Sequence, residues 1–99
     1  MDKIERHKEI CNEMLNTYKD KNHDYGDSFG ETFRKLGIVS AITRISDKTN
    51  RLQSICFSGK IKIFDESMRD TLLDLANYAI MTIMELEGIK NVGTSNNSD

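Results

Sequence analysis

Hydrophobic positions recur at helical spacing in three stretches of this chain, with polar or glycine-bearing segments between them. In the first stretch Ile4, Cys11, Met14, Leu15 and Tyr18 share a face, which predicts a helix from about Asp2 to Lys19. Asp20–Gly30 (DKNHDYGDSFG) has no period, is rich in Asn, Asp, Gly and Ser, and reads as a loop. Ser28 with Glu31 three residues on has the pattern of a capping box, so a second helix is expected to start there. Phe33, Leu36, Ile38, Ile42, Ile45, Leu52 and Ile55 carry that helix to about Phe57, with Gly37 as a point of bending. Ser58-Gly59 ends it, Gly59 suiting a left-handed position. Lys60–Phe64 (KIKIF) alternates like a strand but is too short to build a sheet alone. Asp65 is placed to cap a third helix that runs to about Glu87, where Gly88-Ile89 has the form of a Schellman stop. The polar residues 90–99 are expected to be a disordered tail on a single domain of residues 1–89, and no internal repeat is present.

The fold class expected is all-α: a small antiparallel helical bundle with about three main helices. The third helix is the informative one. Its stretch from Leu72 to Met84 (LLDLANYAIMTIM) is apolar nearly all round, and such a helix is either central or covered partly by another subunit. A chain of 99 residues with 37% hydrophobic content can build only a modest core. A homo-oligomer is therefore expected, ahead of a monomer whose second helix breaks and wraps around the third.

Composition narrows the partners. A net charge of -2 gives no global basic field, so no nucleic acid polymer is expected as a partner. No apolar run reaches membrane-spanning length. The first residues (MDKIERHKEI) are charged and carry no signal-peptide pattern, so Cys11 and Cys56 are read as reduced thiols of a cytoplasmic protein.

Candidate chemistry lies in two charged stripes. Arg44, Asp47, Lys48 and Arg51 lie on one side of the second helix, and Glu66, Asp70 and Asp74 on one side of the third, with Asn77 and Tyr78 continuing it. Asp74 is the only carboxylate or amine in its apolar stretch, and a lone buried carboxylate is too costly to leave unpaired. One reading is a salt-bridge network that merely joins the helices. The others involve a ligand: carboxylates holding Mg²⁺ against phosphates, or the Arg and Lys groups binding phosphate directly while the carboxylates orient them. His23, beside Asp24 and Tyr25, lies in the polar loop, where functional residues are common. His7 and His23 lack partners at zinc-ligand spacing. Gly26-Asp27-Ser28-Phe29-Gly30 matches a nucleophile-elbow pattern but has no strand before it, so Ser28 is better explained as a helix cap. Met68, Met81 and Met84 read as core filler.

Three segments together carry a resemblance: KNHDYG at 21–26, Arg44-Ile45-Ser46-Asp47-Lys48 with Arg51-Leu52, and Glu66 through Ala79. Over roughly Lys21 to Leu86 the chain resembles the nucleotide-modification-associated domain family of phages and prophages. That resemblance implies a small helical domain linked to nucleotide metabolism, without a settled chemistry. More distantly the pattern is similar to the all-α nucleotide pyrophosphatases of the MazG and dUTPase-like group. Those enzymes hold Mg²⁺ with an E-x-x-E pair and an E-x-x-D pair on facing helices. Asp74 matches the final Asp and Asp47 the second acid of the first pair, whereas Thr71 and Arg44 stand where two Glu residues would be. An Arg in place of a ligating acid weakens a magnesium site and adds a donor for phosphate oxygens.

Three functions are thus expected in order. The first is a phage-type protein that binds a nucleotide or cyclic nucleotide and sequesters a host signal. Arg44, Lys48 and Arg51 would hold phosphates, with Asp24, Tyr25 and Tyr78 beside them. The second is a Mg²⁺-dependent nucleoside triphosphate pyrophosphohydrolase with Asp47, Glu66, Asp70 and Asp74 as its metal ligands. The third is a non-catalytic helical interaction protein.

Overall fold

A computed structural model describes residues 2–58 and 66–89, apart from the side chains of Asp24, Tyr25 and Glu66. Every regular element in the described residues is an α-helix: α1 (Lys3–Tyr25), α2 (Ser28–Leu36), α3 (Ile38–Phe57) and α4 (Glu66–Leu86). The all-α class is as expected, with four helices instead of about three.

The scaffold is an antiparallel hairpin of α3 and α4. Ala41, Ile45, Lys48, Leu52 and Ile55 form a row of buried or half-buried positions on α3, spaced alternately by four and three residues, with Ser40 and Thr49 half-buried beside it. Thr71, Leu75, Tyr78 and Thr82 form the matching row on α4. Such rows mesh along a narrow helix–helix seam. Its most buried members are small, namely Ala41, Thr71 and Thr82, so the two backbones approach closely. The threonine hydroxyls cost little there because each donates to its own helix, Thr71 Oγ1 to the Ser67 carbonyl and Thr82 Oγ1 to the Tyr78 carbonyl, both at 2.7 Å. Two polar bridges fix the register: Lys48 Nζ to Asp74 Oδ2 at 3.2 Å and Arg51 Nε to Thr71 Oγ1 at 3.2 Å.

Helix α1 docks on α4 through polar contacts. Arg69 donates two 2.7 Å bonds to the Glu13 carboxylate, and Asn77 Nδ2 donates to the Met14 carbonyl at 3.2 Å. Cys11, Met14 and Tyr18 are half-buried, whereas Ile4, 84% exposed, stands clear of the bundle. Of the face expected of the first helix, Cys11, Met14 and Tyr18 are therefore used, whereas Ile4 and Leu15, the latter 48% exposed, are not.

Three expectations are corrected. The predicted loop at Asp20–Gly30 is mostly helix, since α1 continues to Tyr25 and only Gly26 and Asp27 separate it from α2. The polar run DKNHDY is a mediocre helix former, but Lys21 reaches the Asp74 carboxylate, and tertiary contact outweighs weak propensity. The cap of α2 is Asp27, one residue before the predicted Ser28: its Oδ1 accepts from the Gly30 N–H at 3.2 Å. The predicted single helix from Ser28 to Phe57 is two, divided at Gly37. Gly26 (φ 70°, ψ -156°) and Gly37 (φ 74°, ψ -163°) both occupy a region essentially closed to residues with a Cβ, so each stops a helix and redirects the chain.

The stop after α4 is a Schellman motif as expected. The Ile89 N–H donates to the Met84 carbonyl and the Gly88 N–H to the Glu85 carbonyl, both at 3.0 Å. The expectations for Gly59, for the KIKIF segment, for Asp65 as a cap and for the tail 90–99 lie outside the described residues.

Gly37→Ala is expected to cost about 1–3 kcal/mol, the penalty for forcing a Cβ into this conformation, measured as a lowered urea midpoint at unchanged m-value. Glu13 gives a pH signature. Its hydrogen bonds to Arg69 hold its carboxyl below the ordinary 4.5. The contribution is therefore fully present above pH 4.5 and is lost as pH falls through the folded value. The melting temperature of Glu13→Gln should lie below that of the parent at neutral pH, and the gap should close in acid.

Candidate functional site

Helices α1 and α2 meet at Gly26-Asp27 over one end of the hairpin and leave a half-open cleft of about 220 Å³. Asp74, Asn77, Tyr78 and Met81 line it from α4, at the i, i+3, i+4, i+7 spacing of one helix face. From α1 come Tyr18, Lys21 and Asn22, from α2 Phe29, and from α3 Arg44. Phe29 stacks on Tyr78, with ring centroids 5.8 Å apart and planes 28° from parallel. The cleft thus has an aromatic wall and a mixed-charge rim.

Asp74 explains why this rim is stable. Lys48 Nζ lies 3.2 Å from its Oδ2 and Lys21 Nζ 3.8 Å from its Oδ1. The side chain is 33% exposed, so the lone carboxylate of the apolar stretch is both paired and partly hydrated. Arg44 differs from the other cations. It lines the same cleft and makes no hydrogen bond or ion pair among the described residues. Arg44 is exposed and shares the cleft with the carboxylates of Asp27 and Asp74 without being paired to either, so its guanidinium donors stay available.

The remaining residues singled out from sequence divide by position. Arg51 does not line the cleft: its Nε donates to Thr71 and its Nη2 to Ser67 Oγ at 2.8 Å. Asp47 and Asp70 are exposed and stand outside the cleft. Among the described residues no three of His, Cys, Asp and Glu come close enough to share a metal ion. Asp47, Asp70 and Asp74 therefore do not gather into the set expected for Mg²⁺. Asp24 and Tyr25 belong to the last turn of α1, but their side chains, like that of Glu66, lie outside the described set. Sequence reasoning missed Tyr18, Lys21, Asn22, Asp27 and Phe29 as site residues. The available signal was Asp27 three residues before Gly30, a cap pattern that puts Phe29 in the first turn of α2.

Behind the aromatic wall a second charged group braces the helix junction. Arg34 lies 3.4 Å from Asp27 Oδ2 and 3.6 Å from Glu85 Oε1, tying the start of α2 to the end of α4. A Cβ added at Gly30 would stand 2.5 Å from Asp27 Oδ2, so a larger residue there would displace the capping carboxylate. Burial raises the Tyr18 phenol, and the charges of Asp27 and Glu85 add to the shift. Burial also raises the Glu85 carboxyl, with Asp27 reinforcing the shift and Arg34 opposing it.

The fold and cleft define a small all-α protein with a half-open cleft of mixed charge. Residues 21–86, about two-thirds of the chain, match the family described as nucleotide modification associated domain 1, and the chain belongs to that family. The matched span begins at Lys21 and contains every cleft residue except Tyr18. No curated protein and no solved structure matches the chain.

The raised Glu85 carboxyl has a testable consequence. The folded protein holds that proton more tightly than the unfolded chain, so this site's contribution is fully present below pH 4.5 and declines as pH rises through the folded value. Glu85→Gln removes that decline. Its melting temperature relative to the parent should therefore become more favourable from pH 4 towards pH 7, which calorimetry across that range would measure.

Proposed function

We propose that the cleft binds a phosphate-bearing nucleotide, linear or cyclic, and holds it without hydrolysis. Arg44 carries this reading, because it faces the cleft with no protein partner among the described residues. Its planar fork would take two phosphate oxygens. Lys21, exposed and only 3.8 Å from Asp74, would turn to the same phosphate. Lys48, closer to Asp74, would stay to keep that carboxylate neutralised. The Phe29–Tyr78 pair offers an aromatic surface for a base, a contact worth about 1–3 kcal/mol. At about 220 Å³ the cleft is smaller than common ligand pockets of about 300–1,000 Å³. It would therefore enclose one base or phosphate unit and leave the remainder in solvent.

Family membership supports a nucleotide-related role. The biological reading that follows is a phage-encoded, cytoplasmic protein that sequesters a host nucleotide signal as counter-defence. Binding without turnover is favoured because Arg44 and Thr71 replace acids of the MazG-type pattern, and because the described carboxylates do not converge.

A panel of linear and cyclic nucleotides, tested by thermal shift with and without Mg²⁺, checks the proposal. The expected result is a saturable rise in melting temperature with at least one nucleotide, which is recovered intact after heat release. Arg44→Ala should weaken that ligand by about 10- to 100-fold, the equivalent of losing charged hydrogen bonds of about 1.5–3 kcal/mol. Melting without ligand should be unchanged, since Arg44 joins no internal pair. No shift with any phosphate compound would overturn the reading. Turnover that needs Mg²⁺ and disappears in Asp74→Asn would replace it with the pyrophosphohydrolase.

A further inference from the structure

Among the described residues, helices α1 and α2 cover the hairpin on one side only. Lys21–Asp74, Phe29–Tyr78 and Arg34–Glu85 all place α1 and α2 against the side that carries Asp74 and Arg44. Helical geometry puts Ile38 and Ile42 of α3, with Leu72, Ala79, Ile83 and Leu86 of α4, on the opposite side. The antiparallel register set by Lys48–Asp74 brings the α3 pair alongside the last turns of α4, so the six form one patch. Ile38, Ile42, Leu72, Ile83 and Leu86 are each between 42% and 64% exposed. In a chain with 30% charged residues, not one Asp, Glu, Lys or Arg occupies these six positions or Ala76 between them.

We infer that this back face is a homodimer interface in which α4 packs antiparallel on α4 of a second copy. The spacing of the exposed row supplies the argument. Leu72, Ala76, Ala79, Ile83 and Leu86 are separated by four, three, four and three residues, which is the spacing of a continuous helix–helix seam. Four members of the row, Leu72, Ala76, Ala79 and Ile83, are also self-complementary, and Leu86 falls level with Arg69 of the other copy. A twofold axis between Ala76 and Ala79 sets Leu72 against Ile83 of the other copy and Ala76 against its Ala79, so large meets large around a close alanine contact. The six side chains offer on the order of 500 Å² per copy, so complete coverage in two copies would bury on the order of 1,000 Å², the low end for a biological interface. The inference stands independently of the nucleotide reading, since the patch and the cleft lie on opposite sides of the hairpin.

Sedimentation equilibrium of the intact chain tests it. The expected mass at micromolar concentration is twice the 11.3 kDa of the chain. Leu72→Lys and Ile83→Glu should each sediment as monomers with helical circular dichroism retained. Mixing the two variants should restore a dimer, because the register pairs the new lysine with the new glutamate in one layer and leaves Ile83 against Leu72 in the other. Should Ile83→Glu lose helicity, Ala79→Glu carries the same test without removing a packed side chain. A parent chain that stays monomeric, variants that associate as the parent does, or a mixture that remains monomeric would each overturn the proposal.

Discussion

Close approach of α3 and α4 governs everything else in this molecule. Ala41, Thr71 and Thr82 sit where the two backbones are nearest, and a larger side chain at any of them would push the helices apart. The threonines add a shape that alanine would lack, and their hydroxyls are satisfied within α4, so the dry seam carries no polar debt. With this pair in register, Arg44, Lys48 and Asp74 fall on one common side of the hairpin. The cleft, its charges and the uncovered apolar back all follow from that single alignment.

On the cleft side the electrostatics are arranged around one carboxylate. Asp74 receives two ammonium groups, from helices remote in sequence, and this makes it a junction between α1, α3 and α4. Exposed and half-exposed pairs of this kind contribute modestly to stability, about 1 kcal/mol or less each. Their larger effect is on composition of the rim. With Lys21 paired to Asp74, Arg44 is the cleft-lining cation without an internal partner among the described residues, while Lys48 braces Asp74 from outside the cleft lining. The ion-pair network is therefore compatible with the proposed phosphate site, because Arg44 takes no part in it.

Glycine breaks place the aromatic wall. Gly26 halts α1 just as it passes Asp74, and Asp27 restarts the chain as α2 so that Phe29 meets Tyr78 within the first turn. Gly37 then turns α2 into α3 and lets Arg34 bridge Asp27 and Glu85. Helices separated by only one or two residues cannot adjust independently. The cleft is held by this connectivity more than by a large core.

Periodicity and punctuation in the sequence determined the all-α class, the span of α4, its Schellman stop and the two faces that carry charge, because each depends on neighbours within one or two turns. The extent of α1 was not legible. A run such as DKNHDY is nearly neutral between helix and loop, and its helix is decided by what Lys21 touches across the bundle. The separation of Arg44 from Arg51 was decided the same way. Both belong to one stripe in sequence, yet the seam passes close enough to Arg51 for Thr71 and Ser67 to engage it, while Arg44 opens onto the cleft. Local sequence fixes which face of a helix a side chain occupies. Only the packing of a second helix decides whether that side chain is a strut or a free hand for a ligand.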